Sequence, residues 1–301
     1  MSVAAVAYLG DMERRLFTEP APAPPVAVKG DIAPEKRHVL AGIVSNAYHT
    51  VASAMRRYGL MPQYRSTETV RAEAIEPGAG IVGGYTDGRS IALNTYTMPF
   101  LEGYHHLRYQ IARMRGRFGD YLYEKFGTAD SAEYSLGRTA VHEAVHQLAQ
   151  LRPMRTADGG ETPVIADVLQ NTLAGRYSAN LPKGLKWLAP YLARRTLVPV
   201  LEGMAETATE NAYEGRSVGQ IRGSSRDITT YGLFKKAFAG ACEDMGYRDA
   251  FGAMKDLAYG GERASNAIIG GFYKRLNEIA GARCGGGCSY VAAPAQAFAM
   301  A

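Results

Sequence analysis

Apolar residues recur at helical spacing along most of the chain and at strand spacing in one stretch. From residue 34 to residue 60 the period is helical, opened by Pro34, which suits a first turn, and closed near Gly59. Residues 66 to 96 change period, and short runs there predict strands. Ile81 to Asn94 reads as a β-hairpin around an Asp87-Gly88 turn. Glu102 to Phe126 predicts a helix with breaks at Gly116 and Gly119. A further helix is expected from about Ser131 to Leu151, with Asp130 and Glu133 as a capping box and Pro153 just past its end. From about residue 162 to residue 280 nearly every periodic segment is helical, including Val164 to Tyr177 and Leu185 to Arg195. Pro199 is placed in the first turn of the next helix.

The pattern divides the chain into four parts. Residues 1–33 form a flexible Pro-rich leader containing Glu19-Pro-Ala-Pro-Ala-Pro-Pro. Residues 34–155 form an α+β part, residues 156–280 a mostly helical part, and residues 281–301 a Gly- and Ala-rich tail. The fold class expected is α+β, a small mixed sheet over a long helix.

The chemistry sits in that helix. His142-Glu143-Ala144-Val145-His146 reads H-E-x-x-H. Two histidines four apart project from one helix face and can share one metal ion. The glutamate between them can take a proton from a metal-bound water. Ala140, Val141, Ala144, Val145, Leu148 and Ala149 surround the pair with apolar residues at helical spacing, so the motif faces a core. Catalytic zinc keeps three protein ligands and an open position. No histidine follows His146, so the third ligand is sought among acids. Glu202 is the best placed, in Leu201-Glu202-Gly203-Met204-Ala205-Glu206. Glu206 lies one turn on and suits an outer role, accepting the spare N–H of a ligating histidine. The two acids remain alternatives for the ligand. The bland reading of Glu202, Glu206 and Glu210 is a solvated acidic face.

H-E-x-x-H followed downstream by E-G-x-A-E resembles the gluzincin zinc metallopeptidases. The resemblance covers about residues 66 to 250. It implies a zincin-like fold, Zn2+ on His142, His146 and Glu202, Glu143 as general base, and Glu206 orienting a ligand histidine. It also implies an edge strand beside the active-site helix that pairs with extended protein or peptide substrate, and Ser90 to Tyr96 is the candidate. Tyr231, in Tyr231-Gly-Leu-Phe-Lys-Lys-Ala-Phe, is the candidate donor to a developing oxyanion. Tyr213 falls on the helix face of Glu202 but about 16 Å along the axis, too far to share the reacting centre. The chain departs from the family in the 55 residues between His146 and Glu202, longer than many gluzincins use. The competing class is a zincin-fold binding or scaffold protein without turnover.

Composition adds bounds. A net charge of +5 over 301 residues is a mild excess and does not argue for nucleic acid. No run of about 18 apolar residues predicts a transmembrane helix. The N-terminus lacks the basic start of a signal peptide, so a cytoplasmic location is the default, with export by an atypical route left open. Three cysteines are too few for a disulfide scaffold. Cys242 reads as a small core residue, and Cys284 and Cys288 as a tail pair. Gly78-Ala-Gly80-Ile-Val-Gly83 matches G-x-G-x-x-G, but a turn rather than a helix follows it, which excludes a dinucleotide site.

Overall fold

The computed structural model describes residues 24–30, 32, 34–73, 84–94, 132–223 and 230–283. The helix expected over Glu102 to Phe126, the cap at Asp130, the Gly78 to Gly83 run, Thr95, Tyr96, Cys284 and Cys288 all lie outside them. The described chain is a mixed α+β fold, mostly helical. Its strands are β1 (Val26–Lys29), β2 (Leu60–Pro62), β3 (Glu68–Glu73), β4 (Gly84–Thr86), β5 (Ser90–Asn94) and β6 (Met154–Thr156). Its helices are α1 (Pro34–Arg56), α2 (Ala132–Val145), α3 (Ile165–Asn180), α4 (Ala189–Tyr213), α5 (Val218–Arg222), α6 (Thr230–Asp244) and α7 (Ala250–Arg283), the last kinked at Gly261. Among the described residues no helix is long and apolar enough to cross a membrane.

The main sheet runs β1-β3-β5-β4, with β1, β3 and β5 parallel and β4 antiparallel to β5. This corrects the edge-strand expectation. Ser90–Asn94 is an interior strand with all five residues buried, and Gly84–Thr86 is the edge. The apolar run Ile91-Ala92-Leu93 has the composition of a strand covered on both faces. Tyr85 on β4 is exposed, as an edge allows. Of the hairpin expected over Ile81 to Asn94, the described part, Gly84 to Asn94, stands as read. Asp87 caps the connection by accepting from the Arg89 and Ser90 amides at 2.8 and 2.7 Å, and Gly88 takes a left-handed φ of 76°. The leader expected over residues 1–33 ends early, because Val26–Lys29 pairs in parallel with β3 and lays Val26 and Val28 against the core. The pairing β2–β6 had no local signature; each strand has three residues, and β6 is bonded on its other side to Gly160–Thr162.

Helix α1 buries Leu40, Val44, Tyr48, Val51 and Met55 along one stripe and packs that stripe on α2. From Ala140 to Gln150 the chain is buried on every side. Such a helix belongs at the centre of a fold, and its polar side chains must all find partners there. Helix α4 corrects a second expectation. It starts at Ala189, after a 3-10 turn over Lys183–Leu188, so Pro199 lies in mid-helix and leaves the Arg195 carbonyl without its usual N–H. Packing against α2, α3 and α6 holds the helix through that defect. Gly203 brings α4 and α6 together, for a Cβ there would lie 2.6 Å from the Phe234 carbonyl oxygen.

One buried ion pair ties sheet to helix. Arg152, just past α2, donates to both carboxylate oxygens of fully buried Glu68 on β3, at 2.5 and 2.9 Å. Its Nε donates to the Gly88 carbonyl at 2.8 Å, so the hairpin is pinned as well. Tyr48 donates to Gln147 at 2.7 Å, beside the same carboxylate. Removing one partner of such a pair strands a charge in the interior. Glu68→Gln is expected to lower stability by about 3–5 kcal/mol. Replacing Glu68 and Arg152 together with Leu and Met should cost much less. Denaturant midpoints measure both; equal losses for the single and double variants would contradict the pairing.

Candidate metal centre

The site is built by two facing ridges. On α2 and its extension, Arg138, His142, His146 and Gln150 recur every four residues. On α4, Glu202, Glu206, Glu210 and Glu214 do the same. Residues four apart share a helix face, so each set forms one row. The rows run in opposite directions. Gln150 meets the Leu201 carbonyl, His146 and His142 meet Glu202, and Arg138 meets Glu206 and Glu214.

Three of these side chains converge. The Nε2 atoms of His142 and His146 are 3.0 Å apart, and Glu202 Oε2 lies 3.2 Å from the first and 3.5 Å from the second. A tetrahedral ion with bonds of about 2.0–2.1 Å would space its ligands by about 3.3–3.4 Å. The observed triangle is close to that size. Two imidazoles and a carboxylate are also a donor set that suits zinc. Among the described residues, His142, His146 and Glu202 are the one such group.

Second partners set the direction of each ring. His146 Nδ1 lies 2.7 Å from Gln150 Oε1, and Gln150 Nε2 donates to the Leu201 carbonyl at 3.1 Å. The carbonyl only accepts, so the Gln150 amide must present its NH2 there and its oxygen to His146. His146 Nδ1 therefore carries the proton, and its Nε2 keeps a free lone pair toward the cluster. Residues His146–Gln150 form a π-helical turn, closed by the Leu151 amide donating to the His146 carbonyl at 2.8 Å. Such turns concentrate at functional sites. His142 Nδ1 lies 3.3 Å from Glu206 Oε1 yet makes no well-formed hydrogen bond there or elsewhere. Glu206 acts on it as a nearby charge.

The electrostatics follow from crowding. Burial opposes charge on His142, but Glu202 and Glu206 outweigh it and lift its pKa to about 10. Burial pushes Glu202 up, yet His142 and His146 bring it down to about 2. Glu206, half-buried, is held well below the usual carboxylate range by His142 and Arg138. Arg138 spends its guanidinium on Glu206 Oε2 at 2.6 Å and Glu214 Oε1 at 3.0 Å. Glu143, 6 % exposed, moves the other way. Burial raises its pKa, with His142 and His146 opposing and the acids Glu202 and Glu206 adding to it. It lies against the edge strand, since a Cβ on Gly84 would sit 3.4 Å from Glu143 Cγ.

Of the residues singled out from sequence, His142, His146 and Glu202 come together, Glu143 lies beside them, and Glu206 reaches the back of the His142 ring. Tyr231 is in the first turn of α6, with its side chain outside the described set. Tyr213 packs beside Gly137, five residues ahead of His142. The solvated-face reading of the acids fails at Glu210, which is 2 % exposed and bonded to Lys235 and Arg216. Arg138 and Gln150 were missed, although the four-residue recurrence through the two histidines marks both.

Gly203, next to Glu202, fixes how near α4 comes to α6. Gly203→Ala should force the helices apart and cost about 1–3 kcal/mol in a denaturation midpoint; an unchanged midpoint would contradict the close approach. Comparisons with protein-family models, curated proteins and solved structures give no match to the chain.

Proposed function

We propose that the chain is a zinc-dependent metallopeptidase of the gluzincin type. The observation that carries this reading is the triangle of His142, His146 and Glu202 donor atoms, with Glu143 buried beside it on the same helix. Bound there, zinc would supply Lewis acidity and lower the pKa of a coordinated water to about 7.

The chain's own groups do the rest. Glu143 takes the proton of the attacking water and passes it to the leaving amine. Gln150 keeps the proton on His146 Nδ1, and Glu206, itself held ionised by Arg138, faces His142 Nδ1. An extended peptide pairs with β4, the edge strand, whose Gly84 packs close against Thr139 and Glu143. Tyr231 is retained as the candidate oxyanion donor.

Glu143→Gln should keep one zinc per chain and lose about 10²–10⁴-fold in cleavage of a peptide library. Undiminished cleavage would remove the assigned base. Zinc in the wild-type chain with no cleavage would favour a binding or scaffold protein. Gln150→Leu should weaken zinc about 10–100-fold in competition with a chelating dye, because the His146 tautomer is no longer set; unchanged affinity would remove the orienting role.

A further inference from the structure

The segment that leads into α4 is unlike the rest of the surface. Leu185, Trp187, Tyr191 and Val198 are exposed by 44, 74, 53 and 51 %. They are four of the seven large apolar side chains so exposed among the described residues, and they fall within fourteen residues of one another. Scattered singly, such residues need no explanation; gathered on one 3-10 turn and the start of the helix it leads into, they mark a contact surface. Trp187 is the chain's only tryptophan, and the 3-10 turn over Lys183–Leu188 that carries it has no buried residue.

The charge around them has one sign. Lys183, Lys186, Arg194 and Arg195 are all exposed within the same segment. From residue 168 to residue 201 there is no Asp or Glu at all. This stretch holds five of the 34 Lys and Arg residues, and without them the number would equal the 29 Asp and Glu. The whole formal excess of +5 is therefore met by one stretch. Its fifth cation, Arg176, is turned onto Asn266, which leaves four facing outward. Arg195 lies over the Tyr191 ring at 5.0 Å, so apolar and cationic groups are interleaved rather than segregated.

We infer that residues Lys183 to Val198 form a docking surface for an anionic phospholipid bilayer. Tryptophan and tyrosine suit the level of the headgroups, where one end of the ring is apolar and the other wet. Leucine and valine enter the acyl boundary, while lysine and arginine stay with the phosphates on their long stems. A protein partner of ordinary composition would not require the complete exclusion of acids over this length, whereas a uniformly negative surface does. Each exposed cation near such a surface is worth roughly fivefold in partitioning. Tyr191, Arg195 and Val198 also share a helix stripe with Glu202, which lies about 16 Å along α4 from Tyr191.

The test needs neither metal nor turnover, and so stands or falls separately from the peptidase reading. The full chain is mixed with vesicles of phosphatidylserine and phosphatidylcholine in equal parts, and in parallel with phosphatidylcholine alone. The expected result is co-sedimentation with the anionic vesicles and a blue shift of Trp187 emission, both lost in molar salt as screening shortens to ~3 Å. Lys183→Glu combined with Lys186→Glu should lower partitioning by at least about tenfold with the circular dichroism unchanged, and Trp187→Ala should lower it as well. No association at low salt, or equal association of the charge-reversed variant, would overturn the proposal. So would a Trp187 emission already blue-shifted without vesicles in a chain of dimeric mass, since a second copy would then cover the patch.

Discussion

The antiparallel contact of α2 with α4 is the constraint on which the remaining structure depends. It puts Arg138, His142, His146 and Gln150 of α2 and its extension against a row of four acids. A helix interface of this kind has no stability of its own. Burying carboxylates and a guanidinium costs several kcal/mol per ion unless each is paired and hydrogen-bonded. The cost is met locally: Arg138 serves Glu206 and Glu214, and Lys235 and Arg216 serve Glu210. What is left over at the other end is Glu202 with two imidazoles, a set with more negative than positive character once the rings are neutral. Glu202 and Glu206 together raise the pKa of His142, against the effect of burial.

The same contact explains why so much lies around α2. The sheet covers one side, α1 another and α4 a third, which is why the helix is buried throughout its second half. Apolar residues such as Val141, Val145 and Leu148 occupy the sides turned to α1 and the sheet, and the polar row is confined to the remaining face. A polar side chain on such a helix has little freedom to move. Preorganisation of this sort is what lets charged groups act without rearranging when a proton is transferred.

Much of this was readable from residues alone, where the signal is local. The span of α2 with its extension, the helix from Pro34 and the Asp87-Gly88 hairpin follow from short-range periodicity and turn chemistry, whereas the meeting of Glu202 with His142 across sixty residues was expected only from pairing the two motifs. The failures share a cause. Whether Ser90–Asn94 or Gly84–Thr86 forms the edge depends on where β3 lies, and β3 is separated from both along the chain. The role of Val26–Lys29 depends on the same strand. Pro199 misled because its preference for a first turn is weaker than the packing of α4 against three other helices. Gln150 and Arg138 are a different case. Their spacing was visible, but glutamine and arginine are common surface residues, and only burial distinguishes them.

The π-helical turn at His146–Gln150 has a mechanical consequence. By closing its backbone ring over five residues instead of four, it shifts everything after it by one position relative to an ordinary helix. Gln150 then reaches the imidazole, and Arg152 reaches Glu68 and the tip of the hairpin. The aim of the His146 ring and the seat of a strand are thus geared to one another. Any change that straightened this turn would be felt at both ends, as slack in the ring and as a loosened hairpin beside the glutamate.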